Sequence, residues 1–569
     1  MKTFKARTRV TEVCAFAVAL SLASSAPNSR ANVCATDIKL NGAMASIKTL
    51  PGRNVVNISY ILNEPATAGV TINVLSGSNV IRAINLPAGN PGALRGTNLV
   101  VWDGNDSHTN AVPAGTYSIA VTPAATGYTN WTQISVDTNA GNYVYHPYGI
   151  AVDNNTNSPY YGRVLVGNSQ TGPNSATVPG DKDGILKCNA DGSFADEGGF
   201  GNGGYNVSDT GETAAPGEMV DDGYNDLPQK MRIGEDDRLY MNDWTGYGRV
   251  VAFDMAVTTN QTVLSSANYA SNPFFDNSMA TGWNSLDVTG AGTTNGLLWY
   301  GAYDSPNSAG IWIWHLTNGV ANPADTTGTQ AIGAGGSLTQ SANGGIMVDT
   351  NYDIFAGQYG TAVGNQRCMV FTNWNKGSAW GGSAELTRTA WAAGGADGTF
   401  LNNYDLTINS RQHPVYAACA MVGPNAFGIR ILNATNGSTI QTNLDWPNAY
   451  SITAWDNVGN LYAGSPSLHV WRVFSPPAGA NQSTTIAVET IQVIASPSFT
   501  GLSDLNGTVT LNFTAASSDS PAAFTLQRAP SVAGPYADVP GAHATQNSPG
   551  LFSFSTTTNG ATQFYRIRR

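Results

Sequence analysis

Eleven carboxylates fall between positions 181 and 226 of this 569-residue chain: Asp181, Asp183, Asp191, Asp196, Glu197, Asp209, Glu212, Glu218, Asp221, Asp222 and Asp226. Carboxylates crowded on Gly-rich loops supply the hard oxygen ligands that Ca²⁺ prefers. Asp181, Asp183, Asp221 and Asp222 are the metal-ligand candidates. The stretch does not complete an EF-hand, because Asn189-Ala190-Asp191-Gly192 lacks the rest of the loop and Asp-Gly is also what a hairpin turn demands. A solvated acidic lid is the alternative to bound calcium. A second set combines aromatic and amide side chains: His146, Tyr148, Gln229, Asn284, Tyr404 and Tyr450. Rings cover the C–H faces of a sugar while amides bond its hydroxyls, so this set suits a glycan-like ligand. The same residues could also simply fill a narrow channel.

Motifs that would fix a reaction are missing. The sequence holds no Gly-x-Ser-x-Gly elbow, His-Glu-x-x-His, Walker loop or repeated Cys-x-x-Cys. The six histidines are scattered, and no spacing selects a carboxylate pair for glycoside hydrolysis. Catalytic residues therefore stay unassigned, and the balance leans away from an enzyme.

The elements that must position these side chains are strands. Charged residues make up only 11% of the chain, against a usual quarter, and Gly, Asn, Thr and Ser take their place. That composition favours strands and turns, and no stretch reads as a long amphipathic helix. The class is all-β. Lys2, Lys5, Arg7 and Arg9 precede an apolar run from Val13 to Ala23 and then small residues, the pattern of a secretory signal over residues 1–31. Removing it takes five basic residues and one acid from 27 and 38, leaving 22 against 37, a net charge of −15. Such a field repels phosphate, so nucleic acid is a poor partner. No later segment is long enough to span a membrane as a helix.

From 142 to 495 a three-strand pattern repeats six times. Its first strands read YGIAVD, QKMRIG, NSLDVT, GGIMVD, YDLTIN and YSITAW. Units of four strands at this spacing predict a six-bladed β-propeller, because one blade cannot bury both faces alone. TIAVETIQV (485–493) is expected as the last blade's outer strand, with residues 132–136 as a further aid to ring closure. The aromatic and amide set then rings one axial mouth, where the chain enters the first strands. The acidic stretch 181–226 becomes an insertion between blades one and two. Four cysteines are left after export, and free buried thiols and bridges are equally compatible with them; if one bridge forms, Cys368 on the third strand of blade four and Cys419 on the second strand of blade five are the expected pair.

Three resemblances refine the domains. VVWDGNDSHTNAVPAGTYSIAV, within 38–125, resembles the last hairpin of the FlgD-type immunoglobulin-like domain of secreted bacterial proteins; Trp102 and Tyr117 should pack inside it. HPYGIAVD and DGILKCNADGSF resemble NHL and gluconolactonase-like (SMP-type) six-bladed propellers. That likeness implies a calcium-dependent hydrolase whose metal is held by Glu, Asn and Asp around the axis. Here no first-strand start supplies the Glu, and Asn284 and Asn343 alone match in type. Residues 497–569, with a LQR…GPY…D segment and a closing FYRIR strand, resemble the fibronectin-like terminal modules of secreted bacterial proteins, which implies a small β-sandwich. The expected function is a secreted or cell-surface binding and attachment protein whose propeller recognises an extracellular glycan or protein. The alternative is the calcium-dependent hydrolase.

Overall fold

In this computed structural model the described residues are 32–49, 55–113, 115–201, 228–243, 249–265, 285–302, 310–321, 328–333, 344–358, 368–372, 387–393, 403–421, 427–488, 491–493, 497–515, 519–548, 550–557 and 562–568. They are almost all strand, with a few 3-10 turns.

Six antiparallel sheets carry the repeat, five of four strands and one, blade three, of five. Blade one runs outward from Pro147–Val152 through Val164–Asn168 and Gly184–Cys188 to Phe200–Gly201. The inner strands of blades two to six are Pro228–Ile233, Ser285–Thr289, Ile346–Val348, Asn403–Ile408 and Ile452–Trp455. Each inner strand touches the next, and the last touches the first, so the ring closes. Closure is also visible in the packing: six apolar cores each join one blade to its neighbour. The core between blades two and three holds Tyr240, Leu286 and Trp314, for example, and the one between blades six and one holds Ile150, Tyr462 and Trp471. Burying one large apolar side chain contributes roughly 1.5–3 kcal/mol, so a blade removed from the ring would expose two such faces.

The segment 485–493, expected as the fourth strand of blade six, lies elsewhere, and the segment 132–136, expected to aid closure, supplies that strand. Thr132–Gln133, from before the ring, pairs with Val470–Ser475. Thr485–Ile486 and Ile491–Val493 instead join the N-terminal sandwich: the first pairs with Gly115–Ala125, and the second runs parallel to Ser46–Thr49. The physical reason is burial, since Ala487 enters the sandwich core beside Ile119 and Val121. The sandwich packs a three-stranded sheet (Ala35–Leu40, Val56–Leu62, Gly96–Trp102) on a seven-stranded one. Trp102 and Tyr117 lie inside it, rings 5.6 Å apart, and the Tyr117 hydroxyl donates to the Pro113 carbonyl at 2.8 Å. The propeller is thus an insertion between parts of one sheet.

Residues 498–568 form two further sheets around their own core of Leu511, Phe513, Phe524, Leu526, Phe552 and Phe554. None of their described strands pairs with an earlier one.

Candidate functional site

A cavity of about 810 Å³ opens at one end of the propeller axis. It is lined by the C-terminal halves of four inner strands and the loops that follow them, 150–156, 231–235, 407–412, 454, 455 and 457, together with Met347. The loops are built by short polar side chains that bond their own backbone, as Asp and Asn do at turns. Asp153 accepts from the Asn155 amide at 2.9 Å; Asp456 accepts from the Asn460 amide at 2.7 Å; Asn409 accepts from the Val415 and Tyr416 amides at 2.9 and 2.7 Å. The partly exposed Ile233 and Met347 give the cavity apolar surface, while Ser410, Gln412 and Asn155 supply donors and acceptors. Ile150, Met231, Ile408 and Trp455 border it with side chains packed into the cores between blades. Trp455 is fixed by its indole N–H on the Thr407 hydroxyl at 3.0 Å.

Deeper in the axis, blades two and five meet across the ring. Lys230 Nζ and Arg232 Nη2 each lie 3.4 Å from Asp405 Oδ1. Asp405 Oδ2 accepts from the Thr453 amide at 2.9 Å and its hydroxyl at 3.2 Å. Lys230 also donates to the Tyr404 carbonyl. Both strands are bulged at this depth, between Gln229 and Met231 and between Asn403 and Asp405, and Lys230 takes φ 29°. A bulge re-aims side chains, and here it occurs on the two facing strands that carry the cluster. Gly345 (φ 104°) passes so close that a Cβ would fall 2.6 Å from Asp405 Oδ1. Burial pulls the Lys230 ammonium down to about 8, with Asp405 opposing the shift. At the rim, Arg411 holds Asp287 through two bonds of 2.5 and 2.7 Å and the Val348 carbonyl at 2.5 Å, tying blades three, four and five.

The described residues expected to ring the mouth lie at or just before the starts of the inner strands, the end opposite this cavity. Tyr148 is half-buried against His146, ring centroids 5.2 Å apart, and the His146 amide donates to Asn168. Gln229 and Tyr404 are buried on the two bulged strands. Tyr450 is fully buried in the core between blades five and six, its hydroxyl on Asp445 and near Arg472. Asn284 and Asn343 lie outside the described residues. None of Tyr148, Gln229, Tyr404, Tyr450 or His146 lines the cavity, which is at the opposite end of the inner strands. Sequence reasoning missed Lys230, Arg232, Asp405 and Arg411. A signal existed: Lys230 and Arg232 alternate within QKMRIG, a segment otherwise read as buried strand.

Of the metal candidates, Asp221 and Asp222 lie outside the described residues. Asp181 is buried and engaged by protein donors, the Tyr143 hydroxyl at 2.6 Å and the Asn174 amide at 2.9 Å. That contact, after burial, lifts the Tyr143 phenol to about 12. Asp183 is buried nearby in sequence. Among the described residues no three His, Cys, Asp or Glu side chains come together as a metal-holding group. Cys368 and Cys419 do meet, sulfurs 3.1 Å apart in the core between blades four and five.

No protein-family model matches the chain, and no curated protein matches it significantly. Similar solved structures include the WD40 β-propeller domain of Doa1, 11% identical over 61% of this chain and 97% of that one, with a TM-score of 0.31. A streptogramin B lyase is 9% identical over 59% and 95%, TM-score 0.24. An auxiliary nutrient-binding protein from Bacteroides ovatus is 12% identical over 76% and 97%, TM-score 0.21. Among the described residues no helix is long and apolar enough to cross a membrane.

Proposed function

We propose that this chain is an exported recognition protein whose propeller binds an extracellular ligand, a glycan or a protein segment, in the axial cavity. The cavity itself carries this reading. Ligand pockets typically enclose about 300–1,000 Å³ and combine apolar walls with a few fixed polar groups, and this one has that size and lining. The basic, apolar and small-residue succession over residues 1–31 supports export. The resemblances to FlgD-type and fibronectin-like modules support a spacer or attachment role for the two sandwiches.

The test narrows the mouth without disturbing the core. Gln412 and Thr156 are exposed at the rim. The mature protein and its Gln412→Trp and Thr156→Trp variants are compared on a glycan array and against extracellular extracts. Ligands held by the parent should lose at least about tenfold in affinity, roughly 1.4 kcal/mol, in the variants at unchanged melting temperature. Retention of every ligand by both variants would place recognition elsewhere on the molecule.

A further inference from the structure

The axial cluster is not electrically balanced. Lys230 and Arg232 are two cations, both under one-tenth exposed, and among the described residues Asp405 is the carboxylate in ion-pair contact with them. Asp405 is further occupied by Thr453, and Arg411 cannot change the sum because Asp287 neutralises it. The Arg232 guanidinium is also short of acceptors: Nη1 reaches its neighbour's Met231 carbonyl at 2.9 Å, and Nε has none. A buried cation left underpaired is costly unless something completes it. Arg232 alone of the cluster reaches the cavity lining. Positive charge therefore stands in the lining of a cavity in a protein whose net charge is −11.

We propose that the cavity takes an acidic saccharide whose carboxylate seats on Arg232, with Lys230 behind it. This rests on the reading of the axial cavity as the recognition site. A guanidinium receives a carboxylate through parallel N–H bonds, and such charge-assisted bonds are about twice as strong as neutral ones. The volume exceeds what a lone inorganic anion fills, and the remaining lining matches a sugar. Ser410 and Gln412 offer polar partners, and the partly exposed Ile233 and Met347 offer apolar surface. Asp153 is turned into its own loop by the Asn155 amide, and Glu235 is exposed at the rim, where the neutral end of the ligand would sit.

Calorimetric titration of the full mature chain tests this with a panel of hexuronate disaccharides, their methyl esters, and inorganic phosphate. At least one acid should bind at least tenfold more tightly than its ester, and Arg232→Gln should erase that preference. The acid-to-ester comparison is made on the parent protein, so it stands even if the variant fails to fold. Equal binding of acid and ester, with loss of both in Gln412→Trp, would overturn the acidic ligand and leave the cavity reading intact. Binding of phosphate without any hexuronate would overturn the carboxylate assignment. Binding of no panel member would overturn the acidic-saccharide assignment, while the array result with the rim variants decides the cavity reading separately.

Discussion

Glu64 is a carboxylate placed where ionisation is unfavourable. It is 1% exposed, with one oxygen accepting from the Tyr128 hydroxyl and the other lacking a partner. Burial lifts its pKa to about 7; Tyr128 works against the shift, Asp456 adds to it, and Arg95 opposes it weakly. Asp456 is itself raised to about 6 by burial. Between the ordinary carboxylate range and these values the folded protein holds protons that the unfolded chain has released. The resulting stability is fully present at low pH and is lost as pH rises through about 6 to 7. Unfolding free energy should therefore fall between pH 5 and pH 7.5, apart from other titrations. Glu64→Gln keeps an acceptor for Tyr128 and removes the titration, so its pH profile should be flatter by on the order of 2–3 kcal/mol. Denaturant melts at several pH values read this directly, and identical slopes for parent and variant would sink the assignment. Little of this is legible beforehand, because Asn63-Glu64-Pro65 reads as a solvated turn until the loop is buried by the fold.

At the scale of elements, the strands were largely readable and their partners less so. Apolar alternation bounded by Gly, Asn and Asp marks each inner strand, since a pleated strand shows its two faces with period two. Period alone cannot choose between two sheets that offer equally apolar edges. TIAVETIQV fits the rim of blade six as well as the edge of the sandwich, and burial of Ala487 selects the sandwich. Bulges are equally hidden, and the axial cluster depends on two of them. The cysteine pair shows the opposite case, because register alone was enough to bring Cys368 and Cys419 onto facing strands. Their sulfurs stand 3.1 Å apart, and a disulfide bond is about 2.05 Å, so a small approach would join them. In protein exported to an oxidising compartment this pair should be bridged. Peptide mapping without reductant should join the two segments, with Cys34 and Cys188 alkylatable after denaturation. Replacing both by serine should cost about 2–4 kcal/mol. Four free thiols in the exported protein would refute the bridge.

For the whole molecule, the decisive feature is that the chain leaves the sandwich, builds the ring and returns. Asn32 donates its amide to Asn481 at 2.9 Å and its side chain to the Pro476 carbonyl at 3.0 Å. Ser483 donates to the Val33 carbonyl at 2.6 Å, and Asn460 of blade six donates to the Asn32 carbonyl at 2.9 Å. Sandwich and ring therefore share contacts at both crossings, whereas the terminal module closes its own core. A chain ending at 496 should accordingly melt as the parent does, minus one independent transition. A chain ending at 476 loses Asn481, Ser483 and the strands beside Ala120–Ala125, leaving that part of the strand's edge unpaired. Exposed edges invite association with other chains, so this shorter form should melt earlier and aggregate. Scanning calorimetry with light scattering separates the two forms. If the form ending at 476 unfolds like the one ending at 496, the returning strands contribute nothing to the sandwich. In that case the sandwich would be a self-sufficient spacer to which the propeller is merely tethered, and ligand held in the axial cavity could not stabilise it. If the two differ as expected, occupancy of the cavity should raise the melting of sandwich and ring together, because one sheet spans both ends of the insertion.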